Sequence, residues 1–491
     1  MEQHDGPASA RFEPVLLKGN TALGSLGEAG ASEALGRAAA GAPTGSCTYW
    51  GIPFEVRRAM LVRDEVVNLS LDGVRAEWLV FLHTTDVKPR ETDTDGFVSP
   101  NRGEGSLNEH VADYVVEYAN GSEVRQPIRR RHQVGMFRRT WGENCFEAVP
   151  MHKPHPVHAA HEQPLRPGSV PLSWGFSQTR ALNPDRARWM AWLYAWANPH
   201  PRRPIKSLRI EPHAGTLVVC GVSAGRATSH PLRWETRRKA LLRLPGGEQF
   251  DFDLDQDGLL EDIRLDLGQV ISAQPHLDYP NHEWAKTRNN QVPSLDLRHL
   301  VIEYAAHPDA CFHLRSGKTV PVARLASGRT SNGLRPIAPA TQRVRLRVLD
   351  AESKQPVPVK LHVHGEAGEY LPPTDRHRIP NPKWFEDYGA DYVALDTSER
   401  SSHLSTYIPG ETVIDLPIGR VYLEISKGFE VRPLRKVVEV KPSTRTMTVR
   451  LKKVLPWRER GWVTADTHVH FLSPKTAQLE GAAEGVNVIN L

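Results

Sequence analysis

Alternation of apolar and polar residues along the chain predicts a protein built mainly of β-strands. Val344, Leu346 and Val348 alternate with three arginines, as in a strand with one buried face. Asn120-Gly121 directly follows an apolar run and predicts a hairpin turn. The 39 prolines disfavour long helices. Together these patterns predict antiparallel β-sandwiches. Further β-branched, aromatic or apolar runs predict strands at 66–71, 78–82, 114–118, 217–222, 421–425 and 446–451.

Changes in composition divide the chain into consecutive parts. A first sandwich at 11–229 follows a tail at 1–10 and contains an Ala/Gly-rich flexible loop at 19–45. A second sandwich is one interpretation of the β-rich segment 230–334, where 259–271 and 300–312 read as strands. The remaining parts are a polar linker at 335–341, a compact β-module at 342–454 and a C-terminal segment at 461–491.

The C-terminal segment has the pattern of a single β-α-β unit. Residues 463–470 read as a strand and 486–491 as a second, buried strand. Between them, Ser473 suits a helix N-cap, and Pro474 suits the first helical position. Residues 475–484 favour a helix, and Gly485 suits the position after its end.

Composition and charge narrow the classes of function. Hydrophobic residues make up 39% and charged residues 24% of 491 positions, which is typical of a globular chain of about three domains. The net charge of +5 is small and dispersed, so we expect no nucleic-acid partner. No apolar run reaches the ~20 residues of a membrane span, and the N-terminus lacks a signal-peptide pattern. A cytoplasmic location is the default expectation. The four cysteines are widely spaced, which predicts neither a disulfide framework nor a zinc ribbon.

Several local patterns have both a functional and a structural interpretation. We predict that the aromatic run 189–196 is a strand, either in the sandwich core or as a stacking platform for a sugar or aryl ligand. His362 and His364 repeat a His-x-His spacing and are interpreted as strand-face residues. Segment 253–258 opens like a calcium loop, but Arg264 stands where the bidentate Glu belongs, so a solvated hairpin is favoured. The last pattern is a histidine at every third position of one segment, at His152, His155, His158 and His161. Prolines in the same segment break any helical stripe of these histidines, and adventitious metal binding is their functional interpretation.

Two parts of the chain resemble known sandwich families. Segments 51–54, 81–84, 114–121 and 198–207 resemble a galactose-binding-like sandwich over about 11–229. The β-module resembles a carboxypeptidase-regulatory-like (transthyretin-like) sandwich. Galactose-binding-like modules are often attached to enzymes that act on glycans or hydrolyse substrates, and transthyretin-like modules often lie next to metallohydrolases. The resemblance implies a fold, and it allows a small-molecule or glycan ligand without establishing one.

The C-terminal segment contains the strongest candidate for chemistry. Histidines at i and i+2 of a strand project to one face, so His468 and His470 can reach one metal ion. The run Asp466-Thr467-His468-Val469-His470 and the following 483–487 resemble the start of the catalytic domain of carbaryl-hydrolase-type (CehA/McbA) metallohydrolases of the PHP superfamily. The resemblance implies Zn²⁺ or Mn²⁺, with His468 and His470 as ligands and Asp466 as a ligand or an orienting group.

This resemblance predicts the start of a PHP-type α/β barrel, a fold that needs roughly 200 residues. The family's remaining ligands lie after the second strand, so we expect an incomplete metal site and little activity in this chain. One hypothesis is therefore the N-terminal accessory region and first metal-binding strand of a hydrolase acting on esters or carbamates. The alternative is a stand-alone β-sandwich binding protein for a carbohydrate or small ligand, with a vestigial catalytic strand. Neither the substrate nor the oligomeric state can be read from the sequence.

Overall fold

The computed structural model describes residues 2–87, 91–92, 98–99, 107–138, 144–153, 189–251, 259–277, 295–375, 393–394, 404–469 and 472–490. Within these ranges the regular structure is mainly β, arranged in several mostly antiparallel sheets, with short helices. The predicted mainly-β, antiparallel fold class is confirmed. The described residues form no closed barrel, and the predicted start of a PHP-type α/β barrel is not shown.

The two largest sheets of the first part of the chain contribute side chains to one core, and two smaller sheets, β1-β4-β5 and β10-β9, accompany them. One sheet has the strand order β12-β11-β15-β7; the other has β13-β14-β8-β16-β6-β3, with β2 beside β16. The predicted turn at Asn120-Gly121 joins β11 to β12, and Gly121 has φ +80, which favours glycine. The strands are β1 (Gln3–His4), β2 (Phe12–Val15), β3 (Thr21–Ala22), β4 (Gly45–Tyr49), β5 (Ile52–Val56), β6 (Arg58–Val62), β7 (Val67–Val74), β8 (Trp78–Thr85), β9 (Glu91–Thr92), β10 (Val98–Ser99), β11 (His110–Tyr118), β12 (Glu123–Arg129), β13 (Val149–Pro150), β14 (Trp192–Ala197), β15 (Ile205–Pro212) and β16 (Leu217–Gly225).

The Ala/Gly-rich stretch 19–45 differs from the predicted flexible loop. It contains helix α1 (Glu33–Ala39), whose N-cap Ser32 accepts a hydrogen bond from the Leu35 amide. Leu26 and Leu35 are completely buried. The leucines pack into the core, and their burial orders a stretch whose composition alone suggested flexibility.

The next part, 230–334, shares a core with the first sandwich. One continuous set of buried side chains runs from Phe12 to Leu334. The buried Lys153 reinforces this connection, because its Nζ donates to the carbonyl oxygens of Leu265 and Asp266 at 2.8 Å each. We call residues 2–334 the N-terminal body. Its remaining elements are β17 (Arg238–Arg243), β18 (Ile263–Leu265), β19 (Gly268–Leu277), β20 (Leu295–Ala306), β21 (Cys311–Leu314), β22 (Thr319–Pro321), α2 (Val322–Ala326) and β23 (Leu334–Pro336).

Residues 342–454 form a second body with a separate core. Its sheets have the orders β28-β24-β31 and β26-β27-β25-β29-β30. Val344, Leu346 and Val348 are fully buried, as their alternation predicts. Arg345 and Arg347 on the opposite face both pair with Glu411. We call it the second body, and its strands are β24 (Gln342–Asp350), β25 (Val359–Gly365), β26 (Val393–Ala394), β27 (Leu404–Ile408), β28 (Glu411–Leu416), β29 (Gly419–Ser426), β30 (Leu434–Val440) and β31 (Thr446–Leu451).

A small apolar cluster connects the two bodies. Leu241 of β17, Ile337 of the linker and Ala367 of the second body are buried against one another. Beside them, Lys239 Nζ donates to the Tyr370 carbonyl oxygen at 3.0 Å. We call this contact the junction.

The C-terminal unit has the predicted β-α-β order. It consists of β32 (Ala465–Asp466), α3 (Pro474–Glu484) and β33 (Val488–Ile489), with β32 parallel to β33. Ser473 caps α3 by accepting from the Thr476 amide at 3.2 Å, and Gly485 ends it at φ +74. Both strands are much shorter than the pattern suggested. None of the described helices is long and apolar enough to cross a membrane.

Candidate functional site

Three side chains with metal-binding atoms meet near the ends of β11 and β15, the two central strands of the sheet β12-β11-β15-β7. His110 Nε2 lies 2.8 Å from Asp113 Oδ1, and His213 Nε2 lies 3.0 Å from Asp113 Oδ2. The two imidazole rings stack with their centroids 3.9 Å apart. One potential ligand atom from each of the three residues lies within 4.8 Å of the other two. We call these residues the His–Asp cluster.

A β-bulge explains why His110 and Asp113 share a face of their strand. Side chains alternate along a strand, so residues three apart normally point to opposite faces. The pairing of β11 with β12 shifts register between His110 and Ala112. An extra residue of this kind redirects the side chains on one side of it. His213 completes the cluster because it directly follows β15, and its amide donates to the Val111 carbonyl at 2.9 Å.

The carboxylate of Asp113 is buried, whereas the imidazoles reach solvent. The exposed fractions of the side chains are 6% for Asp113, 31% for His110 and 42% for His213. Burial by itself raises the pKa of Asp113. Hydrogen bonds from His213, Arg125 and His110 outweigh that effect and lower this pKa to about 2. Asp113 therefore carries its negative charge at any ordinary pH.

Arg125 links the cluster to a row of charges on the same sheet face. Its Nη1 donates to Asp113 Oδ2 at 2.6 Å and to Glu211 Oε2 at 2.5 Å. Arg209 continues the row by pairing with Glu211 and Glu123. Since Arg125 is 48% exposed and has Glu211 as a second partner, it can move away from Asp113 without losing all of its ion pairing.

The site predicted at the C-terminus is only partly described. Asp466 and His468 are both exposed, and the His468 amide donates to Asp466 Oδ1 at 3.1 Å. Here the carboxylate binds the backbone of the following loop. His470 lies outside the described residues. Metal binding by these three residues stays a prediction.

The second His-x-His pair lies in the interior of the second body. His362 and His364 of β25 are 3% and 1% exposed. Burial lowers the pKa of His364 to about 4, which keeps this imidazole neutral at physiological pH. The interpretation as strand-face histidines is confirmed.

The aromatic run belongs to the core of the N-terminal body. Strand β14 covers its second half, and Trp192 is completely buried, with its indole Nε1 donating to the Met136 carbonyl at 3.0 Å. Trp189 and Trp196 are also buried. A stacking platform needs an exposed ring face, so the core interpretation is confirmed.

The other two candidates fall mainly outside the described residues. His152 packs edge-on against Tyr49 with ring centroids 5.4 Å apart, while His155, His158 and His161 are not described. Segment 253–258 is likewise outside the described ranges. Arg264, the residue that argued against a calcium loop, donates from Nε to the Leu260 carbonyl at 3.1 Å.

The chain matches no protein-family model and no curated protein. Solved structures that match include the pilus 2b backbone protein of group B streptococcus, 9% identical, covering 81% of this chain and 98% of that chain at a TM-score of 0.17. The major pilin subunit BcpA of Bacillus cereus is 7% identical, covers 82% and 71%, and has a TM-score of 0.16. A streptococcal ancillary pilin is 14% identical, covers 46% and 64%, and has a TM-score of 0.14. Likenesses of this size do not define what the chain does.

These findings correct the identification as a CehA/McbA metallohydrolase. No family model and no curated protein matches the chain, and the described residues form no closed barrel. The predicted function as the accessory region and first metal strand of a hydrolase is therefore wrong. The alternative of a stand-alone binding protein for a carbohydrate or small ligand is not supported either. A short Asp-x-His-x-His motif beside a helix can arise in any β-α-β unit, because its strand and cap signals are local.

Sequence reasoning missed the His–Asp cluster. His110 and Asp113 are three residues apart and His213 is 100 residues beyond Asp113, so no local motif unites them. The bulge that brings the first two onto one face is a property of strand pairing. The available signal was the alternation of Leu208 and Ile210 with Arg209 and Glu211, a strand-like run that ends shortly before His213.

Proposed function

We propose that this chain is a structural β-scaffold that holds its parts in a fixed arrangement. The observation that carries the proposal is the junction, where Leu241, Ile337 and Ala367 are buried between the two bodies. A flexible linker would leave such residues in solvent. Full burial of a Leu or Ile side chain stabilises by about 1.5–3 kcal/mol, so the burial of Leu241 and Ile337 against Ala367 favours one relative orientation.

Polar contacts support the same arrangement on both sides of the second body. On one side, Lys239 Nζ donates to the Tyr370 carbonyl. On the other side, Glu484 of α3 accepts from Lys360 Nζ at 2.8 Å and from the Tyr407 hydroxyl at 2.6 Å. Lys427 Nζ also donates to the Ala482 carbonyl near the end of the helix at 2.7 Å. The second body thus contacts both the N-terminal body and the C-terminal unit.

We also propose a sandwich family for each of the two bodies. The two largest sheets of the first 229 residues suit a galactose-binding-like sandwich. The sheets of the second body, with β24 between β28 and the parallel β31, suit a transthyretin-like sandwich. A cytoplasmic location is supported by Cys47, Cys145, Cys220 and Cys311, none of which forms a disulfide. A small-molecule or glycan ligand stays a prediction.

Thermal unfolding of two leucine variants tests the scaffold. Leu241 at the junction is 9% exposed, and Leu297 of the same sheet is 45% exposed and serves as the matched control. If the bodies support each other, calorimetry should show one main transition in the wild type. Leu241→Ser should split it into two, whereas Leu297→Ser should leave it single. Two well-separated transitions in the wild type, both unmoved by Leu241→Ser, would contradict the proposal.

A further inference from the structure

We propose that His110, Asp113 and His213 form a binding site for a divalent transition-metal ion of the Zn²⁺ class. The inference is independent of the scaffold proposal, because the cluster lies in a different sheet from the junction residue Leu241. Two imidazole nitrogens and one carboxylate oxygen suit borderline divalent ions such as Zn²⁺, whereas Ca²⁺ and Mg²⁺ prefer oxygen ligands throughout.

The observed distances lie close to those of a bound ion. Ligand atoms about 2.0 Å from a tetrahedral Zn²⁺ lie about 3.3 Å from one another. The Nε2 atom of His110 lies 2.8 Å from Asp113 Oδ1 and that of His213 lies 3.0 Å from Asp113 Oδ2, and one ligand atom from each of the three residues lies within 4.8 Å of the other two. Opening these contacts by a few tenths of an ångström makes room for the ion. Each imidazole would then give its Nε2 lone pair and keep its single proton on Nδ1, and water would take the fourth position.

The surroundings favour binding in two further ways. Strand β11 pairs with β12 on one side and with β15 on the other, so the backbone that carries Asp113 is fixed and this ligand needs little reorganisation. Both imidazoles are partly exposed, which gives an ion access from solvent. Arg125 opposes binding by its positive charge and by its hydrogen bond to Asp113 Oδ2. This opposition gives the proposal a distinctive test, since removing Arg125 should improve the site rather than damage it.

The test is calorimetric titration with Zn²⁺, supported by the visible spectrum of bound Co²⁺. It is made in a His468→Ala/His470→Ala background, which removes the histidines predicted at the C-terminus. His110→Ala or His213→Ala should weaken binding at least about tenfold, because loss of a group that merely orients a metal ligand already costs that much. Arg125→Gln should strengthen binding on the order of tenfold, because one positive charge near the dication is removed. His313→Ala is the matched control, since His313 Nε2 also lies near a buried carboxylate, 3.4 Å from Asp266 Oδ2, but does not belong to the cluster.

Thermal stability gives a second readout that needs no activity. Zn²⁺ should raise the midpoint of unfolding of the background protein and of His313→Ala, because an ion that binds only the folded state stabilises it. It should not raise the midpoint of His110→Ala/His213→Ala. Both replaced histidines are partly exposed, so that variant should fold. Equal Zn²⁺ affinity in the background protein and in this double variant would overturn the proposal, as would the absence of Zn²⁺ binding to the background protein.

Discussion

The His–Asp cluster and the C-terminal unit contain the same residue types in opposite settings. In the cluster, the carboxylate of Asp113 is buried and accepts hydrogen bonds from two imidazoles and a guanidinium. In the C-terminal unit, the carboxylate of Asp466 is exposed and accepts from a backbone amide two residues on. The comparison teaches that a fixed group of ligands depends on the sheet beneath it more than on a compact motif. Strand β11 has neighbours on both sides, whereas β32 pairs with β33 over two residues.

The interior behind the cluster gives the largest expected effect, which is a loss of stability in acid. His83 of β8 is completely buried; its Nδ1 lies 2.7 Å from the Tyr114 hydroxyl and its Nε2 lies 2.9 Å from the Gln133 carbonyl. Burial lowers the pKa of His83 to about 4, from 6.5 for the exposed imidazole. The unfolded chain therefore binds a proton at higher pH than the folded chain. Stability that is complete above pH 6.5 should fall by about 2 kcal/mol at pH 5 through this residue.

Urea unfolding between pH 7 and pH 4.5 measures this loss, with His83→Gln as the variant. Glutamine can keep one hydrogen bond but does not titrate, so its stability should fall less with pH. If the variant and the wild type lost the same free energy of unfolding between pH 7 and pH 5, protonation of His83 would not be the cause of the loss of stability in acid.

Replacing each carboxylate by an amide compares the two regions directly. Asp113→Asn should lower the free energy of unfolding by about 1–2 kcal/mol, because charge-assisted hydrogen bonds to a buried acceptor are weakened. Asp466→Asn should change it by less than about 0.5 kcal/mol, because the side chain is exposed. Chemical denaturation of both variants makes the measurement. An equal cost at the two positions would remove the distinction drawn between them.

The smallest effect is expected where the C-terminal unit meets the second body. Glu484 is 40% exposed and pairs with Lys360, which is 16% exposed. Glu484→Gln should loosen α3 by less than about 1 kcal/mol, because partly exposed ion pairs contribute little. Hydrogen exchange of the amides in 474–484 should become faster, whereas Lys475→Gln at an exposed position of the same helix should leave it unchanged. Exchange of the wild-type unit that is as slow as in β8 or β16 would show that this region is as stable as the cores.

Local signals in the sequence predicted local structure well. The cap at Ser473, the start of α3 at Pro474 and its end at Gly485 were all predicted, because each depends on neighbouring residues alone. The alternation at Val344, Leu346 and Val348 predicted which face of β24 is buried. These patterns identify elements and faces without fixing how distant elements pair.

Features that depend on distant parts of the chain could not be predicted. The common core of the N-terminal body contains side chains from Phe12 to Leu334. Contacts between segments so far apart in the chain leave no local pattern in the sequence. The bulge beside His110 arises from the register of β11 against β12. The short motif that begins at Asp466 could be found in the sequence because its residues are close together in the chain. It did not establish the family.

The distance between the two bodies tests the scaffold most directly. This distance can be measured by pulsed electron–electron double resonance between two spin labels. The labels are attached at Lys318→Cys in the N-terminal body and Lys436→Cys in the second body, and Cys145 and Cys311 are replaced by serine. Both labelled positions are exposed. We predict one narrow distance distribution that broadens in Leu241→Ser and stays narrow in Leu297→Ser. A broad distribution in the otherwise unchanged chain would show that the bodies move independently and would contradict the account.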